Sequence, residues 1–140
     1  MKNIQPTYAT FEQAKMLKEK GFDGECARFY TKSNCKLYGI DEHGRYYPIK
    51  NKSKELWIVG NVAVLNIKNL ILAPEQWQVV EWLRINHGIW IYLIPAEDNK
   101  NVYKPFFRGE KIKDFHLTEF FNSPQEAYSA AFNYILNNLI

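Results

Sequence analysis

The chain reads as an α+β protein, with three capped helices packed on a mainly antiparallel sheet of about five to seven strands. Three observations carry that reading. One phrase occurs three times, as Thr10-Phe11-Glu12-Gln13-Ala14, Ala73-Pro74-Glu75-Gln76-Trp77 and Ser123-Pro124-Gln125-Glu126-Ala127, each time in the form of a helix start. Short aromatic runs separated by turn residues fill positions 25–67. A continuous apolar run, Ile89–Ile94, follows the second helix directly.

The first helix is expected from about Phe11 to Lys20. Thr10 and Gln13 form a capping box, each side chain taking a free N–H at the helix start. Phe11, Ala14 and Leu17 share one face, and Gly21 supplies the left-handed stop. Ala27–Thr31, Lys36–Ile40 and Arg45–Ile49 then read as a three-stranded meander, broken by Lys32-Ser33-Asn34 and by Asp41-Glu42-His43-Gly44. Beyond the polar loop Asn51–Lys54, Leu56–Val59 and Val62–Ile67 flank Gly60-Asn61, which has the form of a hairpin turn. Val62–Leu72 is also consistent with one longer irregular segment.

The second helix is expected from about Pro74, at the first helical position, to Asn86, with Gly88 as its stop. Trp77, Val79, Val80, Trp82, Leu83 and Ile85 spread over most of its circumference, the pattern of a central helix or of one pressed on a second surface. Ile89–Ile94 is apolar on both alternating faces, which predicts a strand covered on both sides or a dimer-forming sheet. Val102–Arg108 returns as its partner, with Pro105 favouring an edge or a bulge. The third helix, from about Pro124 to Leu139, has Ser123 as cap, Glu126 closing the box, and a stripe of Ala127, Tyr128, Ala131, Phe132, Ile135 and Leu139.

A length of 140 residues predicts a single domain, organised as two helix–strand halves of about 1–72 and 73–140 around a shared sheet. Aromatic residues make up 16% of the chain, more than a small core must absorb, which is compatible with a partner surface. The net charge is +3, too small to imply nucleic acid by itself. It divides unevenly: residues 1–72 hold 12 Lys/Arg and 7 Asp/Glu, residues 73–140 hold 6 and 8. Cys26 and Cys35 match neither a disulfide framework nor a CxxC metal site and read as free thiols. Met1–Pro6 has no apolar core of a signal peptide, and the apolar runs Leu56–Leu65 and Ile89–Pro95 are too short to span a membrane, so a cytoplasmic location is expected.

No catalytic, metal or cofactor-binding residues are predicted. His43 falls in a turn, His87 at a helix end and His116 in a loop, with no HxH, HExxH or Cys/His spacing. The seven glycines are dispersed as turn and cap residues, and the pairs Asp41/Glu42 and Glu97/Asp98 lie in loops. Two surfaces are candidates for binding. Trp77, Trp82, Trp90 and Tyr92 are a candidate surface for a protein partner or a homo-oligomer. The segment Arg28–Lys54 interleaves cations with aromatics, so Arg28, Tyr30, Lys36, Tyr38, Arg45 and Tyr47 are a candidate face for single-stranded nucleic acid. Lys100–Lys113 is a second, less specific basic stretch. A small enzyme or nucleotide-sequestering protein would need a pocket lined by Trp57, Trp77 or Tyr92.

Three stretches, Thr7–Phe22 (TYATFEQAKMLKEKGF), Ala73–Ile91 (APEQWQVVEWLRINHGIWI) and Phe121–Leu139 (FNSPQEAYSAAFNYILNNL), resemble small uncharacterised proteins encoded by phages and prophages of gut Bacteroidota. The resemblance implies a phage-encoded protein acting inside the infected bacterium. It brings no activity, ligand or catalytic residue with it. The missing catalytic grouping, the second helix apolar around most of its circumference and the two-faced strand Ile89–Ile94 make the expected role an accessory binding protein acting by protein–protein contact or self-association.

Overall fold

The computed structural model describes residues 5–49, 60–61, 69–99 and 101–140. Its contacts divide the chain into two units, Thr10–Pro74 and the combination of Met1–Ala9 with Glu75–Ile140. The class is α+β, but each unit has its own antiparallel sheet, so the sheet expected to be shared is two sheets.

In Thr10–Pro74, helix α1 spans Phe11–Glu19 and strands β1 to β5 span Arg28–Thr31, Leu37–Ile40, Arg45–Pro48, Gly60–Asn61 and Leu70–Leu72. The capping box of α1 forms as its residue types require: Gln13 N–H donates to Thr10 Oγ1 at 3.2 Å and Thr10 N–H to Gln13 Oε1 at 3.1 Å. Gly21 follows at φ 87°, and Phe22 N–H folds back to Leu17 O at 2.9 Å. The sheet order is β4-β3-β2-β1-β5, which includes the expected meander. Gly60-Asn61 is not a turn. It is extended and pairs with β3, Tyr46 opposite Gly60 and Arg45 opposite Asn61. The flanking runs Leu56–Val59 and Val62–Ile67, Trp57 and the lysines at 50, 52 and 54 lie outside the described residues. The outer partner of β1 is instead Leu70–Leu72, where Ile71 is buried and meets Tyr30 across the pair.

In the second unit, α2 spans Gln76–His87, β6 Ile89–Pro95, β7 Tyr103–Gly109, β8 Phe115–His116 and α3 Pro124–Asn138. The sheet order is β6-β7-β8. Both helices pack on β6, and α3 also packs on β7. Val79, Trp82, Leu83, Ile89, Ile91, Phe107, Ala127, Ala131, Phe132, Ile135 and Leu136 are buried.

The three helix starts are not equivalent. Ser123 caps α3 and accepts from Glu126 N–H at 3.1 Å, while the Glu126 carboxylate accepts from Asn122 N–H, one residue before the position a capping box would use. In the middle phrase the helix begins two residues later than expected. Pro74 lies outside it, Glu75 is the cap, and Gln78 Oε1 takes the Glu75 N–H at 2.9 Å. The delay has a tertiary cause. Tyr8 and Glu75 form a bridge, and Gln76 N–H donates to Thr7 O at 2.8 Å, so extended backbone occupies the place of a first turn.

Pro105 also departs from expectation. It lies in the central strand, buried, rather than at an edge or bulge. Its neighbours explain the tolerance. Tyr103 exchanges both backbone hydrogen bonds with Phe121, and Pro105 O accepts from Leu117 N–H at 3.1 Å. Odd-numbered β7 residues therefore turn their backbone groups away from β6, and the missing N–H removes nothing from the β6–β7 ladder.

Removing a cap should loosen either unit. Thr10→Ala and Ser123→Ala are each expected to lower the unfolding free energy by about 1 kcal/mol in urea titration. Gly88, at φ 62°, closes α2 in the left-handed region. Gly88→Ala should cost about 1 kcal/mol in the same measurement.

Candidate interaction surface

Cross-strand register assigns every residue of the β6–β7 hairpin to a face. Ile89, Ile91 and Leu93 lie opposite Gly109, Phe107 and Pro105. This is the helix-covered face, because the Phe107 ring stacks on Tyr134 of α3 with centroids 5.8 Å apart. Phe115 of β8 joins the stack at 4.8 Å from Tyr134. The remaining residues occupy the opposite face: Trp90 opposite Arg108, Tyr92 opposite Phe106, and Ile94 opposite Lys104. His116, in a strand rather than the expected loop, lies opposite Phe106 on that same face.

Among the described residues, that second face is open. Tyr92 is 46% exposed and Ile94 48% exposed, while Trp90 and Phe106 are half-buried. The Tyr92 and Phe106 rings sit 6.4 Å apart. At one end Lys104 Nζ lies 5.4 Å from the ring centroid of Phe120, itself exposed. At the other, Arg108 Nη2 is 3.4 Å from Asp114 Oδ2, an exposed pair worth little to stability that nonetheless neutralises the guanidinium. An apolar, aromatic strip with polar ends is the make-up of a contact patch.

The four residues expected to form one partner surface separate into three environments. Trp90 and Tyr92 share the open face. Trp82 is core, 7% exposed, with its ring 4.6 Å from that of His87. Trp77 is 62% exposed and borders a groove of about 500 Å³ between the starts of α2 and α3. The helix predicted to be apolar all round is thus one-sided, with Ile85 and Trp77 facing out.

The groove gathers Glu75, Gln76 and Gln125 of two helix phrases, and their bonds are already made. Gln76 Nε2 donates to Gln125 O at 3.0 Å, tying the two helix starts together. The Glu75 carboxylate accepts the Trp77 indole N–H. Glu81 pairs with Arg84 at 2.8 Å, and the Arg84 hydrogen bond holds its carboxyl below the ordinary glutamate value. Among the described residues no His, Cys or Lys lines the groove.

The chain matches no known protein family, no curated protein and no solved structure.

The six residues of the candidate nucleic-acid face do not form one surface. Arg28, Tyr30, Arg45 and Tyr47 share a face of the five-stranded sheet by register, Tyr38 lies on the other, and Lys36 precedes β2. The first face is partly occupied. The Phe11 ring of α1 meets Tyr30 edge-on at 5.7 Å, and burial raises the Tyr30 hydroxyl pKa. Tyr47 lies across Gly39, where an added Cβ would come within 2.6 Å of its ring. Tyr38 stacks on Phe29 at 5.6 Å and is buried. Arg45 is committed to Asp41, with Nε 2.8 Å from Oδ2. Among the described residues there is no cluster of three or more His, Cys, Asp or Glu suited to a metal, and no helix is long and apolar enough to cross a membrane.

Residues missed at the sequence level are Ile94, Phe106 and His116 of the open face, with Lys104 and Arg108 lying inside the basic stretch noted there. The signal that identifies them is the strand alternation of Val102–Arg108, once it is read against Ile89–Ile94 in hairpin register.

The β2–β3 turn makes a pH-dependent expectation. Desolvation pulls the Asp41 carboxyl up, but hydrogen bonds from the Arg45 and His43 amides and from the Arg45 side chain together hold it below the ordinary aspartate value. Its folded pKa is depressed, so the turn's support is complete above the ordinary value of about 4 and is lost as pH falls through the lower folded value. Amide shifts of His43 and Arg45 followed by NMR should titrate with that depressed midpoint, and Asp41→Asn should abolish the step.

Proposed function

We propose that this chain is a non-enzymatic binding module that acts by protein–protein contact through the open face of the β6-β7-β8 sheet. The observation that carries the reading is the aromatic strip Trp90, Tyr92 and Phe106, continued by Ile94, with the exposed rings uncovered. Aromatic anchors of this kind supply most of the binding energy at protein interfaces. The charge balance favours a protein over nucleic acid: residues 73–140 carry two more acidic than basic side chains, and Arg108 is already paired with Asp114. In keeping with the resemblance of its helix phrases to phage and prophage proteins, the module acts in the cytoplasm of an infected bacterium as an accessory factor.

The test is capture of bacterial proteins by the immobilised chain, compared across surface variants. Phe106→Ala and Tyr92→Ala should each weaken capture of a specific partner about tenfold or more. Ile85→Ala, on an exposed position of α2, should leave it unchanged. Capture insensitive to the first two variants overturns the reading. Steeply salt-dependent retention of a single-stranded oligonucleotide, lost in the same variants, would replace it with nucleic-acid binding.

A further inference from the structure

The sheet's two edges are built differently. The β8 edge is two residues long and is flanked by Lys113 and Asp114. The β6 edge runs for seven residues, Ile-Trp-Ile-Tyr-Leu-Ile-Pro, with no charge, and its pairing with β7 is continuous, without a bulge. Edge strands ordinarily carry lysines, bulges or prolines that block pairing with another chain. Here the only such residue is Pro95, at the strand's end.

The direction of the backbone groups along β6 follows from its neighbours. Ala96 N–H donates to Val102 O at 2.9 Å, and Glu110 N–H to Gly88 O at 3.2 Å. Alternation between these fixed points turns the backbone groups of Trp90, Tyr92 and Ile94 toward β7. Those of Ile89, Ile91 and Leu93 point to the outer edge, and among the described residues no strand pairs there.

We infer that β6 pairs with the β6 of a second copy of this chain, antiparallel about Tyr92, joining two three-stranded sheets into one continuous sheet. The inference rests on the protein-contact reading and names its partner. This register uses the whole strand. Ile91 exchanges hydrogen bonds with the partner's Leu93, Leu93 does so with the partner's Ile91, and Ile89 N–H reaches the carbonyl of the partner's Pro95. The missing proline N–H falls at the terminal pair, where it costs least. On the open face Tyr92 meets the partner's Tyr92 and Trp90 meets the partner's Ile94. On the covered face Ile91 meets the partner's Leu93. Every facing pair is apolar or aromatic, so a second copy presents no like charges and no unmatched ones, whereas a charged strand would find nothing on β6 to pair with.

Light scattering should give a mass of about twice 16.5 kDa. Tyr92→Lys sets two ammonium groups face to face across the twofold axis at an exposed position, and should shift the mass to that of the monomer with an unchanged circular dichroism spectrum. Leu93→Pro removes an N–H that only the outer edge uses and should do the same. With Cys26 and Cys35 replaced by serine, Tyr92→Cys should cross-link on oxidation and Ile94→Cys should not, because only position 92 faces itself. A monomer at concentrations up to about 100 µM overturns the inference. So does a dimer unmoved by Tyr92→Lys, or cross-linking as efficient at 94 as at 92. A monomer that still captures a bacterial protein through Phe106 overturns the dimer and leaves the contact reading standing.

Discussion

The antiparallel pairing of Ile89–Pro95 with Tyr103–Gly109 is the constraint on which the second unit depends. It sets Ile91 beside Phe107 under the helices and Tyr92 beside Phe106 on the other side. A slip of one residue would send Trp90, Tyr92 and Arg108 toward α3 and turn Ile91 and Phe107 out to water. The stack of Phe107, Phe115 and Tyr134 resists that slip, because its aromatic contacts tie β7, β8 and α3 together. The same register decides which backbone groups of β6 face β7 and which face outward, so the chemistry of the edge follows from the packing of the core.

The apolar surplus of this region has one physical origin. Both α2 and β6 carry apolar side chains on more sides than a single layer of neighbours covers. Two helices on one face of a three-stranded sheet bury Val79, Trp82, Leu83, Ile89 and Ile91. Trp77, Ile85, Tyr92 and Ile94 are left outside. A strand apolar on both faces normally lies in a sheet covered on both sides, and here, among the described residues, one face is covered and the other is open.

Local chemistry was legible in the sequence wherever a few neighbouring residues settle the outcome. The Thr10/Gln13 box, the Ser123 cap, the stops at Gly21 and Gly88 and the Asp41–Gly44 turn are contacts within a single turn of backbone, and each was read from residue types alone. What escaped depends on partners far along the chain. The middle helix starts late because Thr7 takes the Gln76 amide. Gly60-Asn61 is extended because β3 pairs with it, although the dipeptide has turn chemistry. Pro105 is tolerated in the central strand because its carbonyl turns away from β6, toward the Leu117 amide. The open face was only half visible: Trp90 and Tyr92 stand in a recognisable strand, but Phe106 and His116 join them through a register that no window of sequence displays.

The polar side chains are consistent with the proposed binding role. A catalytic site needs groups that converge on empty space with matched protonation states. Among the described residues, the polar side chains at the helix starts and at the β2–β3 turn are already committed. Gln13 and Gln78 hold helix-start amides, Glu126 holds the Asn122 amide, and Gln76 holds a carbonyl of the neighbouring helix. Asp41 is spent on its turn and on Arg45, and Glu81 on Arg84. Such groups give up their bonds only at the expense of the elements they cap. Among the described residues, the exposed face of β6 and β7 is apolar and aromatic, and under the proposal it excludes water against a matching surface.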